Sequence, residues 1–141
     1  MTRFATFTAA VVTAAATSIA SADVGDPPSF SYLLHCSGCH LEDGAGDPPE
    51  IPDLRTDLGL LLDTAEGRAY MMRVPGVTDT PIPPQEMADL LNWMVGTLYP
   101  ERKGKDPVSA DEVLAGRINR LSDPIKYRKV LLARIKGEPE T

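Results

Sequence analysis

Five consecutive residues, Cys36-Ser37-Gly38-Cys39-His40, constrain this chain more than any other feature. C-x-x-C-H is the attachment sequence for a c-type haem. Two thiols add across the two vinyl groups of the macrocycle, and the histidine that follows the second thiol binds the iron. On a helix, steps of about 100° per residue bring Cys36, Cys39 and His40 to one face, at i, i+3 and i+4. A single turn can then both anchor and ligate the ring. Other chemistries use parts of the same pattern. A reactive dithiol also has C-x-x-C, but it follows a strand in a β-α-β unit, and no β-rich run precedes Cys36. A zinc site needs four donors, and the only other histidine is His35. Four donors crowded into Cys36, Cys39, His40 and His35 do not easily surround one ion. A structural disulfide leaves His40 without a purpose. One covalent haem c, held by Cys36 and Cys39 with His40 on the iron, is the expected cofactor; a dithiol or disulfide is the alternative.

The chain begins with the features of an export signal. Arg3 supplies the positive start, residues 4–16 form a mostly apolar, alanine-rich run, and Ala20-Ser21-Ala22 is an A-x-A cleavage site. The run is too short to span a bilayer and no second one follows, so no membrane span is expected after cleavage behind Ala22. An uncleaved anchor is the alternative. Of the 141 residues, removal of 1–22 leaves 119 starting at Asp23, enough for one small domain whose modest core a covalent haem can supplement. A periplasmic location agrees with the chemistry, because c-type haem is attached outside the cytoplasm. Both cysteines are consumed by the haem, and no disulfide framework remains.

Charge divides the exported part in two. Residues 23–100 carry 13 acidic side chains against Arg55, Arg68 and Arg73, a net of −10, whereas residues 101–141 carry seven acidic and ten basic, a net of +3. An acidic body repels nucleic acid and anionic lipid and attracts a partner with a basic face. Glu42, Asp43, Asp47, Glu50, Asp53 and Asp57 follow the haem motif directly and form a candidate docking rim. A solvated acidic loop is the alternative.

Hydrophobic spacing and punctuation predict helices throughout. Asp26-Pro27-Pro28-Ser29, a capping side chain with prolines suited to a first turn, opens one over residues 29–39, with Phe30, Leu33 and Leu34 as its buried stripe. Gly44, Gly46, Pro48, Pro49 and Pro52 mark a loop. Asp53 can cap a short helix with Leu54, Leu58, Leu61 and Leu62 inside, and Thr64 caps another over residues 65–74. Residues 75–84 hold four prolines and read as irregular loop, and a longer helix follows over residues 84–99 with Met87, Leu90, Leu91, Met94 and Leu98 on one face. No run alternates with period two. In the tail, Ser109 and Glu112 make a capping box for a helix to about residue 120, and Asp123-Pro124 starts another. The expected fold is all-α: a haem domain over 23–100 and a basic extension over 101–141, its two helices forming a hairpin on the domain.

With these pieces in place the chain resembles the small monohaem cytochromes c of bacterial periplasms. The resemblance rests on Cys36-Ser37-Gly38-Cys39-His40, Gly44-x-Gly46, Pro52-x-Leu54 and the helix through Leu91-Asn92-Trp93-Met94. It spans roughly residues 29–99, and the extension lies beyond it. The resemblance implies a cytochrome c-like fold in which the carbonyl of Pro52 accepts the ring N–H of His40, Leu54 presses on the haem, and the first helix crosses the last near Phe30 and Trp93. It also implies one-electron transfer between partner proteins, and no enzymatic activity. The chain departs from the family at the sixth iron ligand. Members bring a methionine from the loop before the last helix, but residues 73–85 contain neither methionine nor histidine. Met87 and Met94 are seven apart on a core stripe. Met72 is preferred over Met71 as a displaced ligand; adjacent residues diverge by about 100°, so at most one faces the iron. His35 lies about 100° off the face of the thiols. A ligand from elsewhere or an open iron completes the set. An open iron would bind small ligands or peroxide, though residues 73–85 offer only Arg73, Asp79 and Gln85 as polar distal groups.

Overall fold

Prolines and capping side chains set where the helices of this chain begin. The computed structural model describes residues 27–139; the export signal and its cleavage site lie outside them. Its α-helices are α1 (Pro28–His35), α2 (Ser37–His40), α3 (Leu58–Leu62), α4 (Ala65–Met72), α5 (Pro75–Thr78), α6 (Pro84–Leu98), α7 (Ala110–Ile118) and α8 (Pro124–Lys136). Proline occupies a first-turn position of α1, α5, α6 and α8, where its missing N–H costs no hydrogen bond. The Thr64 hydroxyl accepts from the Gly67 N–H at 3.0 Å, and the Asp123 carboxylate accepts from the Lys126 N–H at 2.9 Å. Ser109 and Glu112 cap α7 reciprocally. Among the described residues there is no strand, only an isolated bridge between Asp47 and Ile51, as expected of an all-α chain.

Helix α6 is the centre of the molecule. Met87, Ala88, Leu90, Leu91 and Met94 are all buried, so the two methionines serve the core as their spacing predicts. Helix α1 crosses α6 on one side and α7 packs on another.

The facing of α1 differs from the expectation. Phe30, Leu33 and Leu34 are 50%, 48% and 60% exposed, and the buried residues of the helix are Ser31 and Tyr32. Polar anchors set the rotation. The Ser31 hydroxyl donates to Glu86 at 3.0 Å, the Tyr32 hydroxyl donates to the Leu41 carbonyl at 2.8 Å, and the Tyr32 ring lies 5.7 Å from that of Trp93. Tyr32, not Phe30, therefore makes the crossing with Trp93. Further differences are local. The segment expected as one helix over residues 29–39 breaks at Cys36. Pro75 starts the short α5 inside the expected loop. Asp53 does not cap α3; its carboxylate instead accepts from the Arg55 backbone and guanidinium.

The extension packs on the body. Helix α7 lies against α4, α5 and α6, with Val113 fully buried, and Asn92 of α6 exchanges two hydrogen bonds with the Val108 backbone, at 2.9 and 2.7 Å. Helix α8 lies on α3 and reaches α4, where Leu121 and Leu131 join Leu61 and Tyr70 in a second apolar cluster and the Tyr127 ring stacks on Tyr70 at 5.9 Å. The two helices thus seat on separate parts of the body, and their main packing is not to each other, in contrast to the expected hairpin.

One ion pair across this boundary makes stability depend on pH. Arg68 holds Glu112 through Nε at 2.5 Å and Nη2 at 3.1 Å, and this, with the Ser109 cap, lowers the Glu112 carboxyl to about 2. A carboxyl depressed by folding stabilises above its unfolded value and loses that contribution as pH falls toward its folded one. The thermal midpoint should therefore be unaffected by this group above about pH 5 and fall between about pH 4.5 and 2. Because Glu112 is partly exposed, the contribution is about 1 kcal/mol after screening. Glu112→Gln should flatten that part of a pH–melting profile.

Candidate functional site

The thiols and the histidine are brought together by one helical turn. Cys36 leaves α1 at φ −120° and caps α2, so its carbonyl accepts from the Cys39 N–H at 3.2 Å and the His40 N–H at 2.9 Å. The i, i+3, i+4 relation of the three side chains survives the break in the helix. Cys36 is half-buried against the main core, Cys39 is exposed, His40 is half-buried, and the two thiols are not bonded to each other. His35 is also half-buried.

The chain then turns sharply. Leu41 takes φ 60° and ψ 172°, a region otherwise almost confined to glycine, at a cost of about 1–3 kcal/mol. Its N–H donates to the Ser37 carbonyl at 2.9 Å and its carbonyl accepts from Tyr32. Anchored helix α1 thereby holds the exit of the motif.

Residues 41–57 fold back so that the Pro52 carbonyl lies 3.2 Å from His40 Nδ1. A carbonyl only accepts, so this bond requires the proton on Nδ1 and leaves the Nε2 lone pair free for a metal. Burial holds the imidazole below its ordinary value and the charge of Arg128 adds to this, while the Pro52 bond opposes it. The neutral form that ligates metals is thus favoured.

Gly46 makes the return of the loop possible. It sits at φ +63°, and a Cβ there would lie 2.5 Å from the Pro52 carbonyl oxygen and 2.7 Å from that of Ile51. Its N–H donates to the His40 carbonyl at 3.1 Å, and Gly44, at φ +82°, accepts from the Leu54 N–H at 2.8 Å. Gly46→Ala meets backbone, which cannot yield as a side chain tip does. It should cost about 2–3 kcal/mol and displace the Pro52 carbonyl from His40, read as a lower denaturation midpoint together with a shifted His40 Nδ1 resonance.

This geometry weighs against the competing chemistries. Burial, with Cys39 nearby, pushes the Cys36 thiol up to about 11. A reactive dithiol needs a thiol pulled down, so Cys36 is not poised as a redox nucleophile. Among the described residues no three His, Cys, Asp or Glu side chains converge as donors for an ion. Two unbonded thiols and an imidazole with its outward nitrogen free do fit a macrocycle stitched at two points and ligated at a third.

Helix α4 and the loop before α6 hold the stretches considered for a sixth iron ligand. Met71 and Met72 are both buried in the main core, and the Met72 backbone and Cβ lie against Gly116 of α7. Arg117 of α7 was not anticipated from the sequence. Its guanidinium donates to the Val77 carbonyl of α5 at 3.5 Å and to the Thr80 and Ile82 carbonyls of that loop at 3.1 and 2.8 Å.

The acidic rim is smaller than its sequence suggests. Arg55 pairs with Asp43 at 2.6 Å and with Asp53 at 2.8 Å, and Lys136 pairs with Asp57 at 3.0 Å. Glu42, Asp47 and Glu50 are exposed. A shallow groove of about 430 Å³ lies elsewhere, between Glu66 and the start of α8, lined by Leu121, Tyr127 and Arg134. Its walls are polar and apolar side chains without a paired nucleophile and base. No helix of the described residues is long and apolar enough to cross a membrane. No family model, curated protein or solved structure matches the chain, and the reading of the site rests on its own residues.

Proposed function

We propose that this chain is a c-type cytochrome that passes single electrons between partner proteins in the periplasm. The observation that carries the reading is Cys36, Cys39 and His40 on one turn, with His40 Nδ1 bonded to the Pro52 carbonyl. Cys36 and Cys39 would hold the haem through thioether bonds, and His40 would offer Nε2 to its iron. Bound haem supplies a one-electron iron couple. The protein contributes the rest. Pro52 fixes the plane of the imidazole and makes it a better donor. The core behind Cys36 excludes water, and Glu42, Asp47 and Glu50 attract a basic docking face, an attraction that salt weakens.

The test is direct. Purified after export, denatured and extracted with acidified organic solvent, the polypeptide should keep its colour. Colour that leaves with the solvent, or is never present, overturns the proposal.

One observation favours a second reading, an iron open at its sixth position to small ligands or peroxide. Arg117 holds the loop before α6 by its carbonyls, that loop has no methionine or histidine, and Met71 and Met72 belong to the core. A far-red methionine–iron charge-transfer band supports the carrier. A high-spin ferric spectrum that responds to cyanide supports the open site.

A further inference from the structure

The basic extension reaches the loop that bonds His40, from outside the part of the chain that resembles a cytochrome. Arg128, in the middle of α8, is half-buried and donates through Nη2 to the Pro49 carbonyl. Pro49 stands three residues before Pro52, whose carbonyl takes the His40 N–H, in the loop that closes on the motif. Neighbours hold Arg128 in place. Tyr127 stacks on buried Tyr70, the Arg73 guanidinium lies 5.6 Å from the centre of the Tyr127 ring, and Lys136 pairs with Asp57 further along the helix. Among the described residues no carboxylate lies within 4.0 Å of the Arg128 guanidinium, in contrast to Arg55, Arg68, Arg102, Arg120 and Arg134. A cation bonded to a neutral carbonyl keeps more of its field than one paired with a carboxylate, because no counter-charge cancels it. Pro49 and Pro52 belong to one short loop, and the two hydrogen bonds place the Arg128 charge on the His40 side of the site.

We propose that Arg128 is a positioning residue that sets the reduction potential: its fixed charge, delivered by the extension to the histidine side of the haem, favours the ferrous over the ferric state. The inference rests on the haem reading given above. The oxidised centre carries one more positive charge than the reduced one, so a nearby cation destabilises it selectively. At the effective dielectric of about 20 that describes such sites, one uncompensated charge is worth roughly a tenfold change in the equilibrium between the two states. The bond to Pro49 also steadies the loop that presents Pro52, but steadying alone does not depend on charge. The two contributions can therefore be separated.

The experiment compares spectroelectrochemical titrations of the haem-loaded wild type, Arg128→Met and Arg128→Lys, with thermal melts of each. Arg128→Met should shift the equilibrium about tenfold toward ferric, a potential lower by about 59 mV for one electron. Arg128→Lys should stay within about twofold of the wild type, since it keeps the charge while losing the planar fork. The Met shift should persist at high salt, as partly buried charges are little screened. Equal potentials in Arg128→Met and the wild type overturn the proposal, and so does a Lys variant that falls as far as the Met variant. If Arg128→Met does not load haem, Arg128→Gln carries the same expectation. Absence of covalent haem from the wild type is a separate result, which removes the cytochrome reading before any variant is made.

Discussion

With Cys36 and Cys39 both replaced by alanine, the exported protein should retain no haem through denaturation and solvent extraction. The expected loss is complete, because each thioether is an independent covalent tether and the double variant has neither. Single variants should keep the colour on one bond. They should differ, because Cys36 packs against the core while Cys39 is exposed. On the proposed attachment a bond at Cys36 would hold the ring against the core, so Cys39→Ala should perturb the spectrum less than Cys36→Ala. His40→Ala separates attachment from ligation. Both thiols remain, so colour should stay with the chain, but the iron loses the imidazole that Pro52 orients and the ferric spectrum should become high-spin. Pro52→Ala should matter far less than His40→Ala, since the group that bonds His40 is a backbone carbonyl and survives the substitution. Extraction and visible spectra of the five variants check this ordering. A double variant that holds its colour after denaturation would sink the attachment chemistry.

What could be read from the sequence follows the range of the interactions involved. Thr64, Ser109 and Asp123 cap their helices because a short polar side chain bonds an N–H three residues on, and both partners lie in one stretch of sequence. The haem motif is equally local, since Cys36, Cys39 and His40 need only one turn. Pro52 lies further away, and it was recognisable only through resemblance to a family whose loops have that length. Helix α1 shows the opposite case. Phe30, Leu33 and Leu34 share a face, as their spacing says, but spacing does not say whether another element covers that face. Contacts from Tyr32 to Trp93 and from Ser31 to Glu86, both distant in sequence, turn it outward. The acidic rim was misjudged for a related reason. A count of Asp and Glu does not reveal that Arg55 pairs with both Asp43 and Asp53 or that Lys136 reaches Asp57. Arg117 and Arg128 were invisible because their acceptors are carbonyls, which every residue has.

Removing residues 105–141 should cost most of the stability of the domain. The deletion uncovers the main core where Val108 and Val113 sit and the second cluster where Leu121 and Leu131 sit. At about 1.5–3 kcal/mol for each fully buried aliphatic side chain, the apolar loss approaches the roughly 5–15 kcal/mol that holds a domain of this size folded. The hydrogen bonds of Arg68, Asn92 and Arg117 go with it, leaving polar groups of the body in need of water. Gly116→Val tests the same seam with one substitution. A Cβ at residue 116 would lie 2.1 Å from the Met72 carbonyl oxygen and 2.6 Å from its carbon, both backbone atoms, so α7 must lift. The expected loss is about 3 kcal/mol or more, seen as a lower denaturant midpoint. Lys136→Ala removes only a partly exposed ion pair and should cost under about 1 kcal/mol. This contrast distinguishes apolar seating from charge attraction between a basic tail and an acidic body. If the truncated chain and Gly116→Val both melt with the wild type, the extension does not seat on its own body, and its apolar positions belong to a partner subunit.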